Sequence, residues 1–314
     1  MDLPTGLQGS RHEAFARSVL MTLAQPQKSV EPRWLYDAVG AKLFEAVSQS
    51  DHYYPTRTEL ALLDEAAAEI ADALGEGVTI VEPGSGEALK VRTLLSALGA
   101  RARGYVPIDI AAEQLERVAA AVGKAYPQLV VTPVEADFFR PFTMPRVDGP
   151  VVFFPGSTIG NMSEADGRAF LRSILDSAGA DRLLVGFDLL KDPDALLAAY
   201  DDPVGISAAF AKNVLQRMNR ELGATFDLSR WAYRASFDAP SSSIVMELVA
   251  QEDTMVVVAG RSFAIRGGET IHTEDSRKYT AESFAGFARG AGLAPLRTWT
   301  DAEDAFAVML LQRA

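Results

Sequence analysis

Glu82, Asp109 and Asp137 are carboxylates that each close a short apolar run, and Glu82 is followed at once by Pro83-Gly-Ser-Gly86. An acid beside two glycines is a ligand site in outline. Gly84 and Gly86 permit positive φ and a close backbone approach, and a helix opening after them turns unpaired N–H groups toward whatever binds. Asp109, 25 residues beyond Gly84, could hold ribose hydroxyls, so the spacing points to a nucleoside. A dinucleotide fingerprint needs glycine or alanine three residues after its second glycine, where the pyrophosphate passes. That position is Leu89, which counts against a nicotinamide oxidoreductase. A glycine pair after a strand also serves as an ordinary tight turn, and only the second acid favours the nucleoside. The chain has no cysteine, which excludes thiolate catalysis, disulfides and thiolate metal sites together, and His12, His52 and His272 are too scattered for a histidine-based zinc site.

These residues need strands to carry them. Val78, Ile80 and Val81 are β-branched, as a strand buried on both faces requires. A helix near 59–74 precedes that strand, and Val91, Leu94, Leu95 and Leu98 then follow the spacing of a helix with one buried stripe. The alternation recurs. Tyr105-Val-Pro-Ile-Asp109 is a strand, Leu115, Val118, Ala119 and Val122 mark a helix, and Leu129 to Val134 is a third strand running into Ala136-Asp137-Phe138. Pro150 to Phe154 and Leu183 to Phe187 are the fourth and fifth, the former leading into Pro155-Gly-Ser-Thr-Ile-Gly-Asn161 and a helix capped near Ser163. Such a pattern predicts a parallel α/β sheet with ligands at the carboxyl ends of its strands, so Glu82, Asp109, Asp137 and Asn161 should crowd one edge.

After Asp188 the character changes. A helix carrying Ile206, Phe210, Val214 and Met218 leads into antiparallel strands at 231–238, 243–250 and 254–259, where Ile244, Met246 and Leu248 share a face. A helix over Thr280 to Gly292 and strands at 296–300 and 305–311 return the chain to its first sheet, which makes the middle an inserted α+β unit. The expected organisation is an N-terminal arm over 1–57 belonging to a substrate-binding domain, a cofactor-binding domain over 58–190, the insertion over 191–278 and the return over 279–314. Met1 to Ser10 reads as a loose end and Glu13 to Ala24 as a helix. The net charge of −12, with no basic run, opposes nucleic-acid binding, and no apolar run is long enough to span a bilayer. A small-molecule partner and a cytoplasmic monomer without membrane association are expected.

The acid-x-Gly-x-Gly pattern at Glu82 looks like the first motif of class I S-adenosylmethionine-dependent methyltransferases, whose Rossmann-like sheet also ends in an antiparallel edge. Further strings narrow the resemblance: Tyr53-Tyr-Pro-Thr-Arg-Thr-Glu59, Phe154-Pro-Gly-Ser-Thr-Ile-Gly-Asn161, Ala199-Tyr-Asp-Asp202 and Ile271-His-Thr-Glu-Asp-Ser276. Together they resemble the L-histidine Nα-methyltransferases of ergothioneine biosynthesis, in the family's order and over nearly the whole chain after Pro26. The resemblance implies three successive methyl transfers from S-adenosylmethionine to the α-amino nitrogen of histidine, giving hercynine. It also implies that Gly84, Lys90, Asp109, Asp137 and Phe138 hold the cofactor, alongside the Glu82 and Gly86 of the glycine turn. Tyr53, Asn161 and Tyr200 match residues that grip the α-amino and carboxylate groups and form the catalytic set. Glu274 and Ser276 match those that bind the imidazole, Tyr36 a residue that closes the pocket and Met246 one of its walls.

Those roles are chemically sensible. The sulfonium methyl is already electrophilic, so the protein must mainly hold a neutral amine in line with it. Asn and Tyr side chains accept an amine's hydrogens without a charge that would trap an ammonium, and aromatic faces tolerate a cationic product. A buried Glu274 would select a ring N–H, because an apolar ring leaves the carboxylate desolvated and unpaired. By residue type alone, however, Glu274 and Ser276 lie in a polar stretch that reads as surface, and Tyr36, Tyr53 and Tyr54 read as packing for the N-terminal arm. The chain departs from the family pattern at Ala211-Lys212, at Ser243-Ile-Val-Met246 and at Arg277. Methylation of another aromatic or imidazole-bearing amino acid, or a non-catalytic cofactor-binding scaffold, are the alternatives.

Overall fold

A computed structural model describes residues 10–314; the Met1 to Gly9 part of the expected loose end lies outside the described residues. In chain order the elements are α1 (Ser10–Thr22), β1 (Lys28–Ser29), α2 (Ala38–Gln49), α3 (Tyr54–Glu65), α4 (Ala67–Leu74), β2 (Val78–Pro83), α5 (Leu89–Leu98), β3 (Ala102–Asp109) and α6 (Ala112–Ala125). There follow β4 (Val130–Val131), β5 (Val134–Glu135), β6 (Pro150–Phe154), α7 (Glu164–Ala178), β7 (Arg182–Asp188), α8 (Pro193–Tyr200) and α9 (Ile206–Leu222). The last are β8 (Trp231–Asp238), β9 (Ser243–Ala250), β10 (Thr254–Val258), β11 (Arg261–Ile265), β12 (Thr270–Arg277), α10 (Ala281–Arg289), β13 (Leu293–Thr300) and β14 (Phe306–Arg313). The chain forms two compact units, one of Met1–Tyr54 and Lys191–Arg277, the other of Pro55–Leu190 and Lys278–Ala314.

The second unit holds the large sheet, in the order β13-β14-β7-β6-β2-β3-β4, with β5 also paired to β3. Strands β2 to β7 pair parallel with one another, while β14 runs antiparallel to β7 and to β13. Alternate residues feed two cores. Ile80, Tyr105, Phe153 and Val308 pack with the stripes of α3 to α6, and Val81, Val106, Phe154 and Met309 with those of α7 and α10. Burial on both faces explains why these strands read as continuous apolar runs. From β2 the chain first builds outward through β3, then crosses back to place β6 on the other side of β2. The crevice at the carboxyl ends of β2 and β6 is therefore the sheet's switch point, where ligands of such folds bind.

The first unit has its own core around Phe15, Trp34, Phe210, Met218 and Trp231. A sheet in the order β1-β12-β9-β8 carries it, with a separate β10–β11 hairpin. Ile244, Met246 and Leu248 face inward as their period-two spacing requires. The predicted helix near 59–74 is two helices broken at Ala66, and the predicted third strand shrinks to the two short bridges of β4 and β5. Strands β11 and β12 were not evident in the polar sequence. No helix among the described residues is long and apolar enough to cross a membrane.

Candidate active site

Strand β2 delivers Glu82 to its carboxyl end with the side chain only 2% exposed. Tyr105 Oη donates to Glu82 Oε2 at 2.5 Å from the next strand. Burial, partly opposed by that hydrogen bond and by Lys90, pushes the Glu82 carboxyl up to about 8 from its usual 4.5, with Glu59 and Asp109 adding to the rise. The folded protein thus keeps this proton at pH values where the unfolded chain has lost it. The stabilisation is complete below the unfolded value and is lost as pH rises through about 8. Replacing Glu82 with glutamine should accordingly flatten the fall in Tm between about pH 5 and pH 8. Parallel declines in the two proteins, followed by thermal melts, would count against this assignment.

Beyond Glu82, Gly84 and Gly86 take φ of +71° and +49° and the turn is closed by Gly84 N–H donating to Ile108 O at 2.8 Å. A Cβ on Gly84 would stand 3.3 Å from the Phe138 ring, so the position has little room for a side chain. Asp109 ends β3, its Oδ1 accepting from Ala111 N–H at 3.0 Å, and Asp137 Oδ1 accepts from Phe139 N–H at 3.1 Å. Both carboxylates are partly exposed, and Asp137 Oδ2 also lies 3.4 Å from Arg140 Nε. Lys90, in the first turn of α5, pairs with Glu59 Oε2 at 2.6 Å. Asn161 ends the short 3₁₀ turn of Thr158–Asn161 that follows β6, preceded by Gly156 and Ser157 at φ of +87° and +57°. All these residues share the second unit, where Glu82 and Asp109 close strands and the glycine turn, Asp137 and Asn161 follow strand ends. An acid, two glycines, two partly exposed carboxylates and the Phe138 ring suit a nucleoside bearing an amino-acid tail.

In the first unit the predicted substrate residues other than Asn161, which lies in the second unit, form one cluster. Tyr200 and Ser276 are linked through their hydroxyls at 2.8 Å, and Tyr233 Oη donates to the Tyr200 carbonyl at 2.8 Å. The Tyr53 ring stands edge-on to Tyr200 at 5.6 Å, and Tyr36 packs against Phe44 and Phe210 at 5.4 and 5.2 Å. Tyr36 is hydrogen-bonded to Glu274; burial first, then the charge of Glu274, pushes its phenol well above the ordinary value, so Tyr36 is the donor. Glu274 is 5% exposed and lies opposite Met246 across the β12–β9 ladder. Next to it, Thr273 is an extra residue in β12: the register runs from His272↔Glu247 to Glu274↔Met246, and Thr273 Oγ1 donates to the Met246 carbonyl at 2.9 Å. This bulge turns Thr273, Glu274 and Ser276 all inward. The surface alternative for Glu274 and Ser276 is thereby overturned.

Three residues were not singled out from sequence. Glu59 stands on the buried stripe of α3 with Leu62 and Leu63, and an acid at that spacing was its available signal. Tyr233 is tied to Tyr200, and Asp37 caps α2 directly after Tyr36, accepting from Gly40 N–H at 2.7 Å and Asn213 Nδ2 at 2.8 Å. Neither carries a local sequence mark.

The sheet order and the acid–glycine turn at its switch point define a class I S-adenosylmethionine-dependent methyltransferase. A model of the family described as "Histidine-specific methyltransferase, SAM-dependent" matches residues 15–313, and the chain belongs to that family. It is 39% identical over 310 residues to a histidine N-alpha-methyltransferase of Mycolicibacterium smegmatis, covering 97% of this chain and 96% of that protein. A protein of the same name from Mycobacterium tuberculosis is 37% identical over 305 residues, with 95% of each covered. Ergothioneine biosynthesis protein 1 of Neurospora crassa is 31% identical over 278 residues, which span 85% of this chain and 31% of that protein.

Proposed function

We propose that the chain methylates the α-amino nitrogen of L-histidine three times in succession, forming Nα,Nα,Nα-trimethylhistidine for ergothioneine biosynthesis. The observation that carries the choice of amino acid is the buried Glu274 carboxylate, bonded by a neutral phenol and set among aromatic rings. Such a group can accept a ring N–H, and Ser276 beside it offers a hydroxyl that is either donor or acceptor. Tyr53, Tyr200 and Asn161 hold the α-amino and carboxylate groups, with Tyr36 and Met246 closing the pocket. Gly84, Gly86, Lys90, Asp109, Asp137 and Phe138 hold the cofactor, with Glu82 behind the turn. The cofactor's sulfonium supplies an electrophilic methyl group. The protein's part is orientation: neutral side chains keep the nitrogen lone pair directed, the ammonium formed by each of the first two transfers gives up a proton to solvent before the next, and aromatic faces suit the permanent charge of the trimethylated product. In this reading the unit of Pro55–Leu190 and Lys278–Ala314 binds the cofactor and the other unit selects the amino acid. The substrate is taken as a free amino acid and the enzyme as a cytoplasmic monomer; the net charge of −12 supports the exclusion of nucleic acid.

The test is incubation of the protein and S-adenosylmethionine with each natural amino acid, followed by mass spectrometry. Histidine should gain one, two and then three methyl groups. Preferred methylation of another amino acid, or of none, would refute the assignment.

A further inference from the structure

Glu59 is a carboxylate with 0% exposure in the unit proposed to bind the cofactor, and none of the roles above uses it. Its Oε1 and Oε2 accept from Gly156 N–H at 3.0 and 2.9 Å, and Oε2 lies 2.6 Å from Lys90 Nζ. Space for it exists because residue 186, on β7, is glycine: a Cβ there would come within 2.0 Å of Glu59 Oε1. A Cβ on Gly156 would be 3.3 Å from Lys90 Nζ. One acid therefore joins α3, the first turn of α5 and the loop from β6 that ends at Asn161. Packing alone does not call for it, because removing two charges from water is costly and an apolar pair of the same volume is often at least as stable.

We propose that Glu59 is a positioning residue for the methyl donor, fixing the Lys90 ammonium and the Gly156 turn and cancelling the Lys90 charge so that a cationic donor is accepted. This rests on the reading of Lys90 as a cofactor residue. S-adenosylmethionine carries a sulfonium, an ammonium and a carboxylate, a net positive charge, whereas its demethylated product is a neutral sulfide with no net charge. An uncompensated lysine at the site disfavours the first more than the second. Glu59 thus sets the preference between donor and spent product, and it reaches Glu82 as well, whose carboxyl senses both Glu59 and Lys90.

The experiment is calorimetric titration of the full chain with S-adenosylmethionine and with S-adenosylhomocysteine. Glu59→Gln should weaken the donor on the order of tenfold relative to the product, the effect of one unit charge in a partly screened site. Adding Lys90→Met to Glu59→Gln should return the ratio of the two affinities to near its wild-type value. An unchanged ratio in Glu59→Gln, including equal weakening of both ligands as a merely structural defect would give, overturns the proposal. Should Glu59→Gln fail to fold, Lys90→Met is compared with the double variant, in which neither charge is orphaned. The single variant should then favour the donor, and equal ratios overturn the proposal. Lys90→Met binding both ligands as the wild type does would instead remove the underlying reading of Lys90, and the inference with it.

Discussion

Replacing Glu274 with alanine is expected to lower kcat/KM for histidine by on the order of 10²- to 10³-fold, the loss of roughly 3–4 kcal/mol that a desolvated, charge-assisted hydrogen bond supplies. The reasoning turns on what the substitution leaves behind. Glu274 accepts from the Tyr36 phenol, and a phenol that loses its acceptor remains neutral, so the loss of this bond leaves no charge stranded. The fold should therefore survive, and affinity for S-adenosylmethionine should stay within about twofold, since electrostatic effects on exposed or distant groups are small. Discrimination should fall with it: amino acids with apolar rings, which would strand the wild-type carboxylate, should gain relative to histidine. Competition between histidine and phenylalanine, read by mass, measures the change. Undiminished histidine turnover would rule out imidazole recognition by this residue.

A second large effect is expected in stability. Lys278 and Asp188 form an ion pair at 2.7 Å with both side chains 0% exposed. They stand where β7 ends and where the chain returns to the large sheet, a junction also held by Tyr279 N–H donating to the Asp188 carbonyl at 3.1 Å and Leu190 N–H to the Tyr279 carbonyl at 2.8 Å. Lys278→Met removes the cation and leaves a carboxylate in the interior, which should cost about 3–5 kcal/mol. The double variant Lys278→Met/Asp188→Leu removes both charges and should recover most of that loss, because the Coulomb gain of a buried pair is largely spent on desolvation. Urea denaturation of the three variants and the wild type measures the cycle. A single variant within about 1 kcal/mol of wild type would show that water or another group compensates the aspartate.

Legibility followed burial and periodicity. Strand β2 and its glycine turn were evident because a β-branched run and a break at Gly84 are both local signals. The stripes of α5 and α6 were evident for the same reason, and so was the inward face of β9. Strand β12 escapes because its alternation is interrupted at Thr273 and because its buried residues include Glu274 and Ser276, whose types belong on a surface. Only the resemblance to a known family singled those two out. Glu59 was read as the last letter of a motif, since its partners Lys90, Gly156 and Gly186 are brought to it by tertiary structure alone. The break at Ala66 and the shortness of β4 and β5 depend likewise on packing that no window of residues contains.

The unpaired threonine of β12 has a bearing on how such enzymes could change their diet. Because the ladder holds one residue more on this side than on β9, Glu274, the acid proposed to read the substrate, can be re-aimed by altering the count rather than the chemistry. Deleting a single codon at that point would straighten the strand and tilt the same carboxylate to a new angle, offering a route to new amino acids that leaves every reading group in place.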